Sequence, residues 1–355
     1  MAAYFGSCDA PYAYTARSRL PPSTGASTET SPAEILPMEG LQDVPIHQYT
    51  GIRNLQQRVR SQSAKLLAGC SNLQYLIFRG VTKDRLAQID SKRASIGKHT
   101  RMTHYMDTDL LIVKLMPLAK HETAHLTLAD DLRSTFVRMG LPIHSLHPLG
   151  GTTFFGPTSS KEGDSAYKPL SREQETDWPI IVFESGLSER FTRLRHDAQW
   201  WLTNSGGDVK IAIIILITPA EKRLQVEKWC LSPATGYRPE TRAYQNPNPL
   251  VPTRMQTITI TQNPATPPNP TAQPGTTVQP STIAHPRTTA QPSAIAPPSF
   301  TIQPGATASY AVIGAPLTLE FQNLLLRAPI PPEGDIVFTT ADLSLWADRF
   351  WKCVK

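Results

Sequence analysis

A carboxylate at the end of an apolar run is the first residue in this chain that asks for a chemical role. In WPIIVFE, residues 178–184, Glu184 follows Ile180 to Phe183, and an uncompensated carboxylate in such a strand is expensive to bury. A helix that begins just beyond, near 188, can lend its N-terminal dipole, and a divalent cation would hold the charge better. Asp164, on the preceding strand-like segment KEGDSAYKPL, is the natural second carboxylate, because adjacent strands bring side chains within reach of one metal. The pair would make an oxygen-ligand Mg²⁺ or Mn²⁺ site that polarises a phosphodiester and lowers the pKa of a bound water. A capping Glu and an unrelated loop Asp account for the same spacing without chemistry.

HETAH at 121–125 matches H-E-x-x-H, in which two His one helical turn apart bind Zn²⁺ and Glu activates water. Only three residues of that pattern are fixed. His121 and His125 share a helical face with Leu128, Leu132 and Met139, which suits core histidines as well as ligands. Pro117 leaves little helix upstream and no third ligand follows at a recognisable spacing, so a zinc peptidase ranks third among the readings.

Charge is the third signal. The chain carries +6, but residues 51–104 hold eleven Lys and Arg against Asp84 and Asp90, a local +9 that includes Arg53, Arg58, Arg60, Lys92, Arg93, Lys98 and Arg101. A concentrated positive stretch is what backbone contact with nucleic acid requires, since phosphate neutralisation supplies most non-specific affinity. Arg190 and Arg193, on the helix after Glu184, could also grip phosphate. A solvated face explains such runs equally well.

The elements that must position these groups alternate in type. Ile52–Leu67 has helical spacing, LQYLIF and DLLIVKLMP are strand-like, and 121–139 is helical through Leu128, Leu132 and Phe136. Strands through DSAYKPL and WPIIVFE, a helix over 188–204 stopped by Gly206 and Gly207, and strands VKIAIIILIT and RLQVEKWCL complete a mixed α/β body over 46–232. The C-terminal 311–355 adds a strand, APLTLEF, and a helix in TTADLSLWADRFWK that starts on a Thr cap. Too short for a core of its own, this tail is expected to dock on the body.

Composition marks what is not body. Residues 233–310 contain 16 of the 33 prolines, and prolines recur every six residues from Pro268 to Pro304. Such a tract reads as a disordered Pro/Thr/Gln-rich spacer looping out of one domain, and 1–45 as a floppy N-terminal arm. No apolar run is long enough to span a membrane. Four scattered cysteines without C-x-x-C point away from a zinc site or disulfide scaffold and toward a reducing intracellular compartment, nuclear or cytoplasmic.

On these residues the chain resembles a known family. KEGDSAYKP, DWPIIVFESGLSERFTRLRHDAQWWLTNSGGDVKIAIIILI and VEKW are similar to a group of fungal proteins of the PD-(D/E)XK, restriction-endonuclease-like superfamily, related to its Uma2-like branch. The similarity starts near LLIVKLMPLAKHETAH and resumes in GAPLTLEFQNLLLRAP and DIVFTTADLSLWA. The resemblance implies a restriction-endonuclease-like mixed sheet flanked by helices and metal-dependent phosphodiester cleavage, with the first acid at Asp164 and the second at Glu184. One position departs from the motif: the residue two beyond the second acid is Gly186, where the superfamily has a Lys. Lys210 is then the first choice for the missing amine and Lys168 the second. The expected function is a Mg²⁺-dependent nuclease, or, should that amine be lost, a non-catalytic nucleic-acid- or protein-binding scaffold on the same fold.

Overall fold

The structure is a computed structural model that describes residues 37–354 apart from 98, 117–118, 188–189, 235–248 and 265–308. Its α/β architecture consists of two mixed sheets flanked by helices and a small two-stranded sheet. The first sheet contains β1 (Ile46–Gln48), β2 (Tyr75–Arg79), β3 (Thr100–Tyr105), β4 (Leu110–Leu115), β6 (Thr153–Phe155) and β7 (Ser159–Glu162), in the order β1-β2-β4-β3-β7-β6. Only β1 and β2 run parallel among its pairs. In β4 the two-residue period sorts the side chains: Leu111, Val113 and Leu115 join a core with Leu55, Val59 and Leu66 of α1 (Ile52–Leu67) and Ile89 of α2 (Lys83–Ser91). Leu110 and Ile112 face the other way, with Tyr75 and Ile77, and Lys114 falls on that same face by alternation.

The second sheet takes the order β13-β12-β11-β10-β9-β8-β5, formed by β5 (Leu146–Pro148), β8 (Ser165–Pro169), β9 (Ile181–Leu187), β10 (Ile211–Thr218), β11 (Arg223–Pro233), β12 (Leu250–Gln262) and β13 (Tyr310–Ile313). Strands β9 and β10 are parallel, as a crossover through a helix requires, and α4 (Phe191–Asn204) supplies it. Both faces of β10 are buried, which is why IAIIILI reads as an unbroken apolar run. Ala212, Ile214 and Leu216 pack with Leu194, Ala198 and Trp201 of α4. Ile211, Ile213, Ile215 and Ile217 pack on the opposite side with α3 (Ala119–Arg138) and α6 (Thr340–Cys353).

The C-terminal residues complete that second core. β14 (Leu317–Leu319) pairs antiparallel with β15 (Ile336–Phe338), and between them lies α5 (Phe321–Leu325). Thr339 and Asp342 form a reciprocal capping box at the start of α6. Leu343, Trp346 and Phe350 then bury against Leu128, Leu132 and Phe136 of α3.

Two boundaries drawn from composition need correction. Residues 250–262, inside the tract read as spacer, form β12, which pairs with β11 along almost its whole length and with β13. Ile258 and Ile260, which alternate with polar residues, are fully buried, so a local period of two outweighs the surrounding Pro and Thr. Leu41 and Val44, assigned to the N-terminal arm, are buried with Tyr75 and Ile77. The hexapeptide prolines lie outside the described residues, as does the arm up to residue 36. Among the described residues no helix is long and apolar enough to cross a membrane.

The pairing of β12 with β13 yields a prediction. Gln262 stands opposite Tyr310, and the Asn263 N–H donates to the Ser309 carbonyl at 2.9 Å, so the two ends of the intervening segment already meet. Deleting 264–308 and joining Asn263 to Ser309 through Asn-Gly, which favours a tight hairpin turn, should preserve the fold. Shortening the closed loop should raise the unfolding free energy by about 2 kcal/mol. A fall in the unfolding temperature on calorimetry would show that the segment contributes contacts to the body.

Candidate functional site

Pairing of β8 with β9 brings the two sequence-selected acids together. Ser165 stands opposite Phe183, so Asp164, one residue earlier, lies beside Glu184. Asp164 Oδ2 accepts the Ser185 N–H at 2.7 Å and the Lys114 Nζ at 2.8 Å. The same ammonium donates to Glu184 Oε2 at 3.1 Å, so one amine bridges the two carboxylates and their oxygens are no farther apart than those two bonds allow. Glu184 Oε1 accepts the Trp201 indole N–H at 2.9 Å and lies 3.3 Å from Lys161 Nζ. Lys161 reaches on to Asp197 at 3.0 Å, and Arg193, one helical turn before Asp197, pairs with it at 3.2 Å.

The cluster is thus three cations, Lys114, Lys161 and Arg193, against three carboxylates, Asp164, Glu184 and Asp197, each at most 5% exposed. Isolated, any one of these charges would be costly to bury; alternating signs and hydrogen bonds make the set tolerable. Burial opposes ionisation of Asp164, but the Lys114 ammonium, helped by the Ser185 N–H, holds its carboxyl down to about 2. Burial pushes the Glu184 carboxyl up, and Lys161 and Lys114 offset only part of that. The two acids sharing Lys114 therefore move apart: the shorter bond and the backbone donor favour the anion at Asp164. Asp197 is held well below the usual carboxylate range because Arg193 and Lys161 outweigh its burial. Lys114 stays protonated, since Asp164 and Glu184 more than offset the cost of burying it.

The amine does not come from where the sequence reading placed it. Lys210 Nζ donates to the Gly207 carbonyl at 2.5 Å, and Lys168 Nζ to the Gln174 carbonyl at 2.5 Å, so neither bridges the acids. At position 186 itself a Cβ would lie 3.1 Å from Leu194 Cδ1 of α4, so any side chain there requires Leu194 to shift. Lys114 was visible in principle. It interrupts the apolar strand LLIVKL as Glu184 interrupts WPIIVFE, and one buried charge implies another of opposite sign. Lys161, in the polar run SSKE, has no such signal.

The basic residues scatter. Arg193 is buried, its guanidinium donating to the Pro37 carbonyl at 2.8 Å, and Arg190 pairs with Asp43 at 2.6 Å, so neither is free to hold phosphate. Arg53 and Arg60 are exposed on α1, Arg58 is half-buried with a 3.3 Å bond to Asn54, Lys92 is exposed, and Lys98 lies outside the described residues. Arg93 makes a bidentate pair with Glu162 at 2.6 and 3.3 Å. Arg101 donates to the carbonyls of Gly163 at 2.8 Å and Asp164 at 3.3 Å, the backbone just before β8.

Among the described residues HETAH presents no exposed imidazole. His125 is 2% exposed and its Nδ1 meets Ser165 Oγ at 2.9 Å; burial pulls its pKa down to about 4. The side chain of His121 lies outside the described residues.

A divalent cation finds a partial fit at the acid pair. Mg²⁺ is commonly held by one or two carboxylates with waters and a substrate phosphate, and Asp164 Oδ1 is a buried acceptor without a hydrogen-bond partner. Among the described residues no group of three or more His, Cys, Asp or Glu is gathered at a metal-binding spacing. No family model matches the chain, and neither a curated protein nor a solved structure matches it.

Proposed function

We propose that the chain is a nuclease-like protein of the PD-(D/E)XK type that hydrolyses phosphodiester bonds of nucleic acid, with Asp164 and Glu184 as its acid pair and Lys114 as its amine. The observation that carries this reading is the Lys114 ammonium lying between the two carboxylates. The strand–strand–helix–strand unit β8-β9-α4-β10, with β10 parallel to β9, is compatible with a restriction-endonuclease-like core. Asp164 and Glu184 would hold Mg²⁺ or Mn²⁺, and the bound metal would supply polarisation of the phosphoryl oxygen and a more acidic water. Within the chain, Lys114 fixes the two carboxylates in register and offers positive charge to a developing oxyanion. Burial pushes the Glu184 carboxyl up, so of the two acids it is the more easily protonated.

One observation favours a second reading, a non-catalytic nucleic-acid- or protein-binding scaffold on the same fold. The side chains of Asp164 and Glu184 are 0% and 1% exposed, and their charge is already balanced within the chain. A cleavage assay on labelled DNA and RNA with Mg²⁺ or Mn²⁺ separates the two. The nuclease reading expects cleavage by the wild-type protein, falling about a hundredfold or more in both Asp164→Asn and Glu184→Gln. Equal activity in all three proteins would leave the assignment without support, and a folded wild-type protein that never cleaves would favour the scaffold.

A further inference from the structure

Beside the buried acids the surface opens into a cleft of about 350 Å³ lined by Arg93, Ala94, Gly97, Arg101 and Gly151. Its two arginines are not equivalent. Arg93 is neutralised by its bidentate pair with Glu162 and is further held by the Thr100 hydroxyl at 2.6 Å, so it serves as a wall. Arg101 makes no ion pair with a carboxylate among the described residues; its bonds go to the backbone carbonyls of Thr100, Gly163 and Asp164. It is therefore a net positive charge, half-exposed in the cleft and tied to the peptide that carries the first acid.

Ala94 and two glycines complete the lining. A Cβ at Gly151 would meet nothing within 4 Å, and one at Gly97 would touch only the Thr100 methyl at 3.6 Å and a Val59 methyl at 3.8 Å. At Gly151 the chain thus leaves side-chain space empty beside the cleft, which lets a ligand backbone approach closely, whereas Gly97 is required by its own φ of 145°.

We propose that this cleft binds the sugar-phosphate backbone of a single nucleic-acid strand, with Arg101 as the cation that receives a phosphate and Gly151 as the wall the strand runs against. The substrate class rests on the nucleic-acid reading above; the location rests on the cleft and its charge. A volume of about 350 Å³ suits a single phosphate with its sugar. The phosphate on Arg101 would sit next to the Asp164 peptide, so strand binding and the acid pair are adjacent through one guanidinium.

The test measures binding apart from cleavage, in EDTA, by fluorescence anisotropy of labelled single-stranded ribo- and deoxyribo-oligonucleotides. Competitor arms are a duplex of the same sequence and inorganic phosphate, and the proteins are wild type, Arg101→Gln, Gly151→Glu and Gly151→Lys. The expected result is a Kd weakened about tenfold or more by Arg101→Gln and by Gly151→Glu and tightened by Gly151→Lys, with the salt dependence of Arg101→Gln reduced by about one phosphate contact. The duplex should compete poorly. Since the Gly151 side chains project into open space, these variants should keep the wild-type unfolding temperature, and they decide the matter if Arg101→Gln does not fold. Unchanged affinity across the Gly151 charge pair overturns the proposal, and so does full competition by millimolar inorganic phosphate, which would mark an anion site and not a strand site. A charge-dependent affinity in a protein that never cleaves supports the cleft while defeating the nuclease reading. Acid-dependent cleavage with charge-independent binding does the reverse.

Discussion

Replacing Lys114 with methionine should lower the free energy of unfolding by about 3–5 kcal/mol at pH 7 and abolish any cleavage. The reason is charge and not volume. Methionine fills the aliphatic path of the lysine, but Asp164 loses the donor at 2.8 Å and Glu184 the donor at 3.1 Å, leaving the two acids facing one another inside the protein. The pH dependence gives the mechanism a sign. In the wild type the folded pKa of Asp164, about 2, is below its unfolded value of about 3.9. Its contribution is therefore present above about pH 3.9 and lost as pH falls through 2. In the methionine variant the stranded acids are instead easier to protonate folded than unfolded, so the penalty should shrink between pH 7 and pH 4. Adding Asp164→Asn to the same chain should recover much of the loss, because Lys161 and Arg193 then balance Glu184 and Asp197 and the buried set is neutral again. Denaturant titrations at both pH values measure this. A penalty that is the same at pH 7 and pH 4, and is not relieved by the Asp164 amide, would show that Lys114 matters for packing alone.

The legibility of this site in the sequence was uneven, for a physical reason. Glu184 stands out because its strand neighbours are all apolar, and Asp164 follows from it because a hairpin-like pair of strands must place one residue opposite another. Register across a single strand pair can be reasoned from local pattern. Lys114 and Lys161 come from the other sheet, and which face of β4 or β7 turns toward β8 and β9 is a matter of how two sheets meet, for which sequence spacing carries no term. The choice of Lys210 shows the consequence: proximity along the chain stood in for proximity in space, and the actual bond of that lysine goes back to Gly207 in its own turn. The same logic separates the elements. The buried strand β10 and the helices α1, α3, α4 and α6 announce themselves through apolar periods long enough to resist noise. β12 did not, because Pro and Thr around a two-residue apolar alternation read as spacer until a partner strand on each side gives the pattern a purpose.

Truncating Trp346 to alanine should cost about 3–5 kcal/mol, one of the largest losses available from a residue remote from the acids. Trp346 is 1% exposed and packs into the core shared by α3, β9, β10 and the C-terminal elements. Its indole N–H donates to Thr127 Oγ1 at 2.9 Å, and that hydroxyl is itself bonded to the Thr123 carbonyl at 2.6 Å, so the indole also tethers α6 to the middle of α3. Nearby, Arg349 pairs with Asp131 of α3. Phenylalanine at 346 keeps much of the volume and gives up the hydrogen bond, and should cost about 1–2 kcal/mol beyond the lost area. The effect should extend to the site, because α3 carries His125, whose ring meets Ser165 beside Asp164. Amide hydrogen exchange should therefore accelerate in α3 and β8 as well as in α6 when residue 346 is alanine. A loss below about 1 kcal/mol, or faster exchange confined to α6, would mean that the C-terminal helix rests on the domain without supporting it, and that α3 holds His125 against β8 by its own contacts with β9.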